Sequence, residues 1–358
     1  MSGIRKSGVD SGLVMTVLGP RPVEELGVTL MHEHLLFDVS NWWQPATTAM
    51  QIRLSELPVD ISMIGDLRMH PFLNRDNCKQ LDVNVSIEEV QQFKDLGGQT
   101  VVDPTTLGMS RDPLALQMIS RKTGLNIVMG TGFYLGNAHP EYVKRMSVDD
   151  IANLIVNDVG AGENLPPVCA GLIGEIGVSK DFTDEERKVL RGAAQASART
   201  GVPLMVHLPG WERLAHEVLD IAEQEGADLR HTVLCHMNPS LHDIEYQTSL
   251  ADRGAFIEYD MIGMDYFYAD QQAQSPSDEE NAEAIKKLID AGYIKHLLLS
   301  QDVFLKMMLT RYGGFGYGYI LRYFVPRLRR HAVTDDQISE MLVENPRRVF
   351  ANYRASAV

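Results

Sequence analysis

Residues 27–34 carry the sequence Gly-Val-Thr-Leu-Met-His-Glu-His, an apolar run that ends in two histidines. Alternate residues of an extended strand point to the same face, so Leu30, His32 and His34 share one face. Two imidazoles on one face at the tip of a strand can bind one divalent cation. Scattered histidines are common, so the weight of this pair depends on what the rest of the chain brings beside it.

Seven further apolar and mostly β-branched runs follow along the chain. Most are continuous hydrophobic stretches, as expected for parallel strands buried on both faces. Segments with helical periodicity separate them, and several begin at a capping residue (Ser86, Asp112 and Thr183) and end at glycine. The eight predicted strands cover residues 27–34, 98–106, 126–134, 170–177, 202–208, 231–237, 255–263 and 296–302.

Eight strands, each followed by a helix, predict an α/β fold, a (β/α)₈ TIM barrel forming a single domain over residues 1–358. Residues 1–12 are polar and predict a flexible arm, and the last helix is expected to be interrupted near Pro346. Residues 39–85 predict an insertion on the active-site face, either a partial lid or a structural flap. The alternative, an open doubly wound sheet, lacks a glycine-rich phosphate fingerprint.

Composition excludes several classes of function. The formal net charge of −15 argues against nucleic acid and anionic membranes as partners. No apolar run approaches the roughly 18 residues that span a bilayer, and no secretion signal opens the chain. The three cysteines are far apart and form no disulfide framework, which favours the cytoplasm. A small-molecule substrate is the expected partner.

Ionisable residues stand near the carboxyl ends of five predicted strands, where a buried parallel strand should hold few. Any one of them alone would be an ordinary strand-end residue. Six groups of metal-ligand type on one rim of a barrel are best explained by a cation that offsets their desolvation. They are His32, His34, Glu175, His207, His236 and Asp302.

The chain resembles the phosphotriesterase-like family of the amidohydrolase superfamily, specifically a lactonase-type branch with a bridging glutamate. The resemblance covers nearly the whole chain. The segments that carry it are VLGPRPVEELGVTLMHEHLLFD, TGFY, GEIG, SQD, YGGFGYGYI and NPRRVF, together with the isolated histidines of the fifth and sixth strands.

This resemblance implies a centre of two divalent metal ions. His32, His34 and Asp302 would hold the more buried ion, and His207 and His236 the other. Glu175 and a hydroxide would bridge the two. Zinc is the expected metal, with manganese, cobalt or iron as alternatives.

Three departures from the family pattern bear on chemistry. Glu175 replaces the carboxylated lysine of many members and supplies the same single negative charge. Tyr319 stands where many relatives have histidine. The apolar residues 303–305 follow Asp302 where members that handle phosphorylated sugar lactones tend to place basic groups, which argues against a phosphosugar.

The expected reaction is attack of the bridging hydroxide on a carbonyl, most simply that of a lactone or carboxylic ester. Asp302 is the predicted general base, which would pass the proton to the leaving group. Tyr134, Trp42, Asp265 and Arg311 are candidate substrate contacts, each with packing or surface pairing as the alternative.

Other functions remain open from the sequence. The same centre would serve an amidase of small N-acyl compounds, and phosphotriester hydrolysis is a conceivable side activity. A non-catalytic metal- or ligand-binding barrel is the alternative of a different class. A homodimer is suggested by the resemblance alone.

Overall fold

The computed structural model describes residues 12–162, 166–269 and 271–351, so the predicted arm lies outside the described residues apart from Gly12. Its strands in chain order are β1 Leu13–Thr16, β2 Gly19–Pro22, β3 Thr29–Leu30, β4 Phe37–Asp38, β5 Lys79–Gln80, β6 Thr100–Asp103, β7 Asn126–Thr131, β8 Leu172–Gly177, β9 Leu204–His207, β10 Thr232–Leu234, β11 Phe256–Tyr259, β12 Phe267–Tyr268, β13 Ala273–Gln274 and β14 Leu297–Leu299.

Eight of these strands form one parallel sheet in the order β14-β11-β10-β9-β8-β7-β6-β3. Each lies inside one of the eight apolar runs, so the predicted TIM barrel is confirmed. The remaining strands form three antiparallel pairs outside the barrel, β1 with β2, β4 with β5 and β12 with β13.

Helices follow the barrel strands as predicted. In chain order they are α1 Ala49–Ser55, α2 Ile64–Met69, α3 Val83–Asp95, α4 Pro113–Thr123, α5 Val148–Asp158, α6 Asp184–Thr200, α7 Ala215–Gln224, α8 Ile244–Asp252, α9 Asp278–Asp290, α10 Val325–Arg330, α11 Asp335–Ser339 and α12 Asn345–Phe350. No described helix is both long and apolar enough to cross a bilayer.

Two helix details differ from or refine the prediction. Helix α3 begins after Asp82 and not at Ser86, because the Asp82 carboxylate accepts hydrogen bonds from the first free backbone N–H groups. Ser86 is buried inside the helix, where its hydroxyl donates to the carbonyl of Leu35 at 2.6 Å. The last helix is interrupted before Pro346 by a π-helical turn over Glu340–Glu344.

The core lies on both sides of the sheet. A large cluster joins the outward faces of the strands to the helices, with Ile173, Val206 and Leu299 among its members. A second cluster fills the barrel with inward-facing residues such as Leu172 and Met205 and extends to the β1–β2 hairpin and helix α12. Hydrocarbon therefore fills the inside of the barrel below the polar residues at the carboxyl ends of the strands.

The barrel closes between β14 and β3 through contacts just beyond the two strands. The N–H of His32 donates to Ser300 Oγ at 2.9 Å, and the N–H of Asp302 donates to the carbonyl of His32 at 3.1 Å. The fully buried Glu33 side chain accepts from Ser300 Oγ at 2.8 Å and from the backbone N–H groups of Gln301 and Val303 at 2.9 and 3.0 Å. The middle residue of the His-Glu-His motif thus joins the first barrel strand to the last.

Residues 39–85 form a compact insertion on the mouth of the barrel. It contains α1, α2 and strand β5, which pairs with β4. Trp42, Gln44 and Phe72 from this insertion line the cavity described below.

Replacing Glu33 by alanine should destabilise the protein by about 3 kcal/mol or more, because several buried donors lose their acceptor at once. Equilibrium denaturation of metal-free protein measures the change, and Glu24→Ala, at an exposed acid near the same strand, is the matched control. Equal stability of the two variants would contradict this role of Glu33.

Candidate metal centre

Six predicted ligand side chains meet at the carboxyl ends of the barrel strands. Five of the residues are buried, and His207 is partly exposed. Groups that could each hold a cation combine His32, His34 and Glu175, or Glu175, His207 and His236, or His32, His236 and Asp302. The structure therefore brings together all six residues, and it does so at the mouth of the barrel.

Glu175 lies between two pairs of histidines. Its Oε1 is 3.6 Å from His32 Nε2 and 3.4 Å from His34 Nε2. Its Oε2 is 3.0 Å from His207 Nδ1 and 3.4 Å from His236 Nε2. Each carboxylate oxygen therefore faces one pair of imidazole nitrogens.

Asp302 approaches the same nitrogens from the last barrel strand. Its Oδ1 is 3.6 Å from His32 Nε2 and 3.3 Å from His34 Nε2. Both Asp302 and His236 adopt positive φ angles, of 47° and 57°, which non-glycine residues rarely adopt. The backbone is thus held in an unfavourable conformation at two of the six positions, a feature typical of functional sites.

The second glycine of the GEIG segment is required by a close backbone contact. A Cβ atom at Gly177 would lie only 2.2 Å from the carbonyl carbon of Tyr134. Glycine therefore allows the ends of β7 and β8 to approach, which sets Tyr134 beside the histidines.

Neighbouring side chains hold the outward nitrogens of three histidines. His34 Nδ1 is 2.8 Å from Thr105 Oγ1, and His236 Nδ1 is 3.1 Å from Asp260 Oδ1. His32 Nδ1 is 3.3 Å from both Glu258 and Asp260. Such contacts fix the orientation of the rings and leave all three Nε2 atoms facing Glu175, and those of His32 and His34 facing Asp302 as well.

The sequence analysis did not identify Glu258 and Asp260. Both are fully buried at alternate positions of the seventh apolar run, so they share the inner face of the barrel. Two acids at that spacing in an otherwise apolar strand are the signal that would have found them.

The electrostatics of the cluster follow from carboxylates and imidazoles that share a desolvated space. Burial alone would lower the pKa of His34, but its contacts with Asp302 and Glu175 outweigh this and raise the pKa to about 9. Burial opposes ionisation of Glu175 too, yet His32 and His207 bring its pKa well below the usual value. For His236, Asp260 and Glu175 overcome the effect of burial and raise the pKa to about 10.

The cluster fits divalent cations. Among the described residues His32 Nε2 is fully buried and has no hydrogen-bond partner, which is costly unless another group binds there. Four imidazoles and two carboxylates are ligands suited to zinc, manganese, cobalt or iron.

A cavity of about 930 Å³ opens above the cluster. Tyr134 and Trp42 both line it, and Trp42 Nε1 donates to the Tyr134 hydroxyl at 3.2 Å. Burial, reinforced by the charge of Glu175, raises the pKa of Tyr134 well above its usual value, so the hydroxyl keeps its proton.

The other two candidate substrate contacts lie elsewhere. Asp265 is exposed and accepts a hydrogen bond from Gln274 at 3.1 Å, while the neighbouring Met261, Met264 and Tyr268 line the cavity instead. Arg311 pairs with Glu88 at 3.3 Å on the surface. The structure therefore gives neither residue a contact with the cavity.

The structure also shows where the residues lie that differ from the family pattern, Tyr319 and residues 303–305. Tyr319 donates a hydrogen bond to Asp278 at 2.6 Å and does not line the cavity. Phe304 lines it, whereas Val303 and Leu305 are buried in the core.

Comparison with known proteins gives one consistent result. The sequence profile of the phosphotriesterase family matches residues 12–350. N-acetyltaurine hydrolase of Tetraodon nigroviridis is 34% identical over 342 residues, covering 94% of this chain and 97% of that protein.

Two solved structures are similar to this chain over nearly its whole length. A resiniferatoxin-binding protein from Rhodobacter sphaeroides has a TM-score of 0.94 and 55% identity, covering 97% of this chain and 98% of its own. A lactonase from Listeria monocytogenes has a TM-score of 0.76 and 27% identity, covering 96% of this chain and 100% of its own.

Metal-free protein should lose thermal stability as pH rises from about 6.5 towards 9–10. A histidine with a raised folded-state pKa contributes stability below its unfolded value of about 6.5, and this is lost as pH passes the folded values of about 9 for His34 and 10 for His236. Thermal unfolding across this range measures the loss, which His236→Gln should reduce. An unchanged melting temperature would contradict the electrostatic description.

Proposed function

This chain belongs to the phosphotriesterase family of hydrolases, and from that premise we propose that it uses two divalent metal ions to hydrolyse a carbonyl substrate, in the first place a carboxylic ester or lactone. One observation carries the proposal. Glu175 presents one oxygen to His32 and His34 and the other to His207 and His236, at the floor of an open cavity.

In this proposal His32, His34 and Asp302 would hold one ion, His207 and His236 would hold the other, and Glu175 would be a ligand available to both. When bound, the two ions would polarise the scissile bond and lower the pKa of a water molecule. The cluster and its buried surroundings hold these six side chains in place before substrate arrives, which favours the transition state over the free reactants.

Asp302 is the proposed proton acceptor. Its carboxylate lies in the cavity and is 9% exposed, so it can reach both the attacking water and the leaving group. It would take the proton from water during attack and return it to the departing oxygen.

Tyr134 is the proposed donor to the substrate oxygen. Its hydroxyl oxygen accepts a hydrogen bond from Trp42 Nε1, so the hydroxyl proton does not point at Trp42 and can be donated to a substrate oxygen. The ring also packs edge-on against His207, with centroids 4.8 Å apart, so the hydroxyl lies close to the proposed metal ligands.

An amidase is the second candidate, because relatives at 32–34% identity are named N-acetyltaurine hydrolases. A non-catalytic ligand-binding protein is the third, since the relative at 55% identity is called resiniferatoxin-binding. The same centre would polarise ester and amide carbonyls alike, so the walls of the cavity must decide between these substrates.

Metal removal and reconstitution test the proposal. Protein stripped with a chelator should be inactive against a panel of esters, lactones and N-acyl amides, and should regain activity at two equivalents of zinc, manganese or cobalt per chain. Elemental analysis gives the stoichiometry. Metal-loaded protein that hydrolyses no member of the panel would favour the binding-protein alternative.

Asp302→Asn should lower kcat by about 100-fold or more, because the amide cannot accept the proton from water. Turnover is compared at matched metal content, since the same residue is a proposed ligand. Wild-type kcat in a variant that carries both ions would exclude Asp302 as the base.

Tyr134→Phe should lower kcat by about tenfold or more through the loss of one donor to the developing oxyanion. Trp42→Phe should have a smaller effect in the same direction, because the hydroxyl stays but its orientation is no longer fixed. Steady-state kinetics with an ester substrate measure both changes, and no loss in Tyr134→Phe would refute the donor role.

A further inference from the structure

We propose that the site selects uncharged substrates that carry a bulky apolar group, such as an aromatic ring, over small or acidic ones. This inference rests on the proposed hydrolase function and adds the class of substrate. It follows from the walls of the cavity and not from the metal ligands.

Aromatic side chains from separate segments of the chain contact one another along one side of the cavity. Trp42 stacks on Phe72, with ring centroids 5.3 Å apart and planes 18° apart. Phe72 contacts Tyr268 at 6.0 Å and Phe304 at 6.2 Å, and Tyr268 meets Trp211 at 5.7 Å. We call these five residues the aromatic wall.

The wall draws on four parts of the fold. Trp42 and Phe72 belong to the insertion after β3, Trp211 follows β9, Tyr268 lies in β12, and Phe304 follows β14. Met109, Met261 and Met264 are among the other apolar residues that line the cavity. Flexible methionines beside flat rings suit a ligand face that is apolar and varied in shape.

The size of the cavity also points to a large substrate. Its volume of about 930 Å³ lies near the upper end of the roughly 300–1,000 Å³ that holds a drug-sized ligand. A small acyl compound bound at the metal cluster would leave most of the aromatic wall in contact with water. A substrate with an apolar extension would bury that surface and gain free energy from it.

The charges around the cavity oppose an acidic substrate. Outside the metal cluster, the described lining includes one lysine, Lys180, and no arginine, against four carboxylates. Asp181 and Glu212 are exposed and form no ion pair within the described parts of the chain, while Glu185 and Glu186 bond to neighbouring groups.

An acidic tail would therefore meet carboxylates at the rim and hydrocarbon along the wall. Moving a charge from water onto that wall without a partner is unfavourable, and the excess of rim carboxylates adds repulsion. Lys180 is exposed and adjoins Asp181 in the chain, so its charge is partly offset where it stands. Uncharged apolar groups face neither cost.

Three methyl esters with the same reacting bond test the proposal on metal-loaded protein. Methyl 3-(2-naphthyl)propanoate, methyl butanoate and the monomethyl ester of succinate differ only in a remote aryl, alkyl or carboxylate group. We expect kcat/KM for the aryl ester to exceed that of the butanoate about tenfold or more, and the succinate monoester to be the poorest. Equal values, or a preference for the anion, would overturn the proposal.

Variants test the contribution of the aromatic wall and that of the rim carboxylates separately. Phe72→Ala and Trp211→Ala should each reduce the preference for the aryl ester several-fold, while Tyr323→Ala, at an aromatic residue 50% exposed and outside the cavity lining, should leave it unchanged. The double variant Asp181→Asn with Glu212→Gln should raise the relative rate on the succinate monoester. Loss of aryl preference in Tyr323→Ala equal to that in Phe72→Ala would count against the wall.

Binding is measured separately, so that failure of the hydrolase function can be distinguished. Two of the three tryptophans, Trp42 and Trp211, line the cavity and report occupancy by fluorescence. The neutral 3-(2-naphthyl)propanamide should change their emission at concentrations at least about tenfold lower than succinamate requires. If the amide binds but no ester is hydrolysed, the function fails and the selectivity stands; if the acid binds as well as the aryl amide, the selectivity fails.

Discussion

Compensation of buried charge is the constraint on which this structure depends. Glu175, Asp302, Asp260 and Glu258 are carboxylates buried at one end of the barrel, and burying a carboxylate is unfavourable unless an opposite charge or several donors lie beside it. In the metal-free chain the compensation comes from imidazoles whose pKa values are raised, notably those of His34 and His236. Divalent cations would take over the same role. The apolar interior of the barrel buries the carboxylates, and the positive charge at the mouth offsets the cost of burying them.

The architecture could be predicted from the sequence because its signal is local. Continuous β-branched runs identify strands buried on both faces, and strand direction then puts their carboxyl ends on one rim, which is why His207 and Asp302 could be grouped though far apart in the chain. Asp260 escaped notice because its importance comes from contact with two histidines of other strands. Arg311 and Asp265 show the opposite limit: each follows a barrel strand in the chain, yet loop geometry turns each away from the cavity.

Local sequence patterns said least about the structure of the insertion that follows the first barrel strand, β3. Its tryptophans predicted an ordered segment without deciding between a lid and a flap. In the structure Trp42 bonds to Tyr134, which lies beside the histidines, and stacks on Phe72, which contacts Tyr268. The insertion therefore reaches the candidate metal centre and also forms part of the aromatic wall. Changes in this insertion would alter the shape of the cavity while leaving all six strand-end side chains where they are.

Glu33 has a consequence for how the molecule is made. The residues it joins, at the first and last barrel strands, are 268 positions apart. During translation β3 is made long before β14, so the edge of β3 that faces β14 and the two histidines that follow it lack these partners until the segment after β14 has been synthesised. The site is thus assembled only after the segment that follows β14 has been made, and chains that end before residue 300 would lack both the donors that bind Glu33 and the aspartate at position 302.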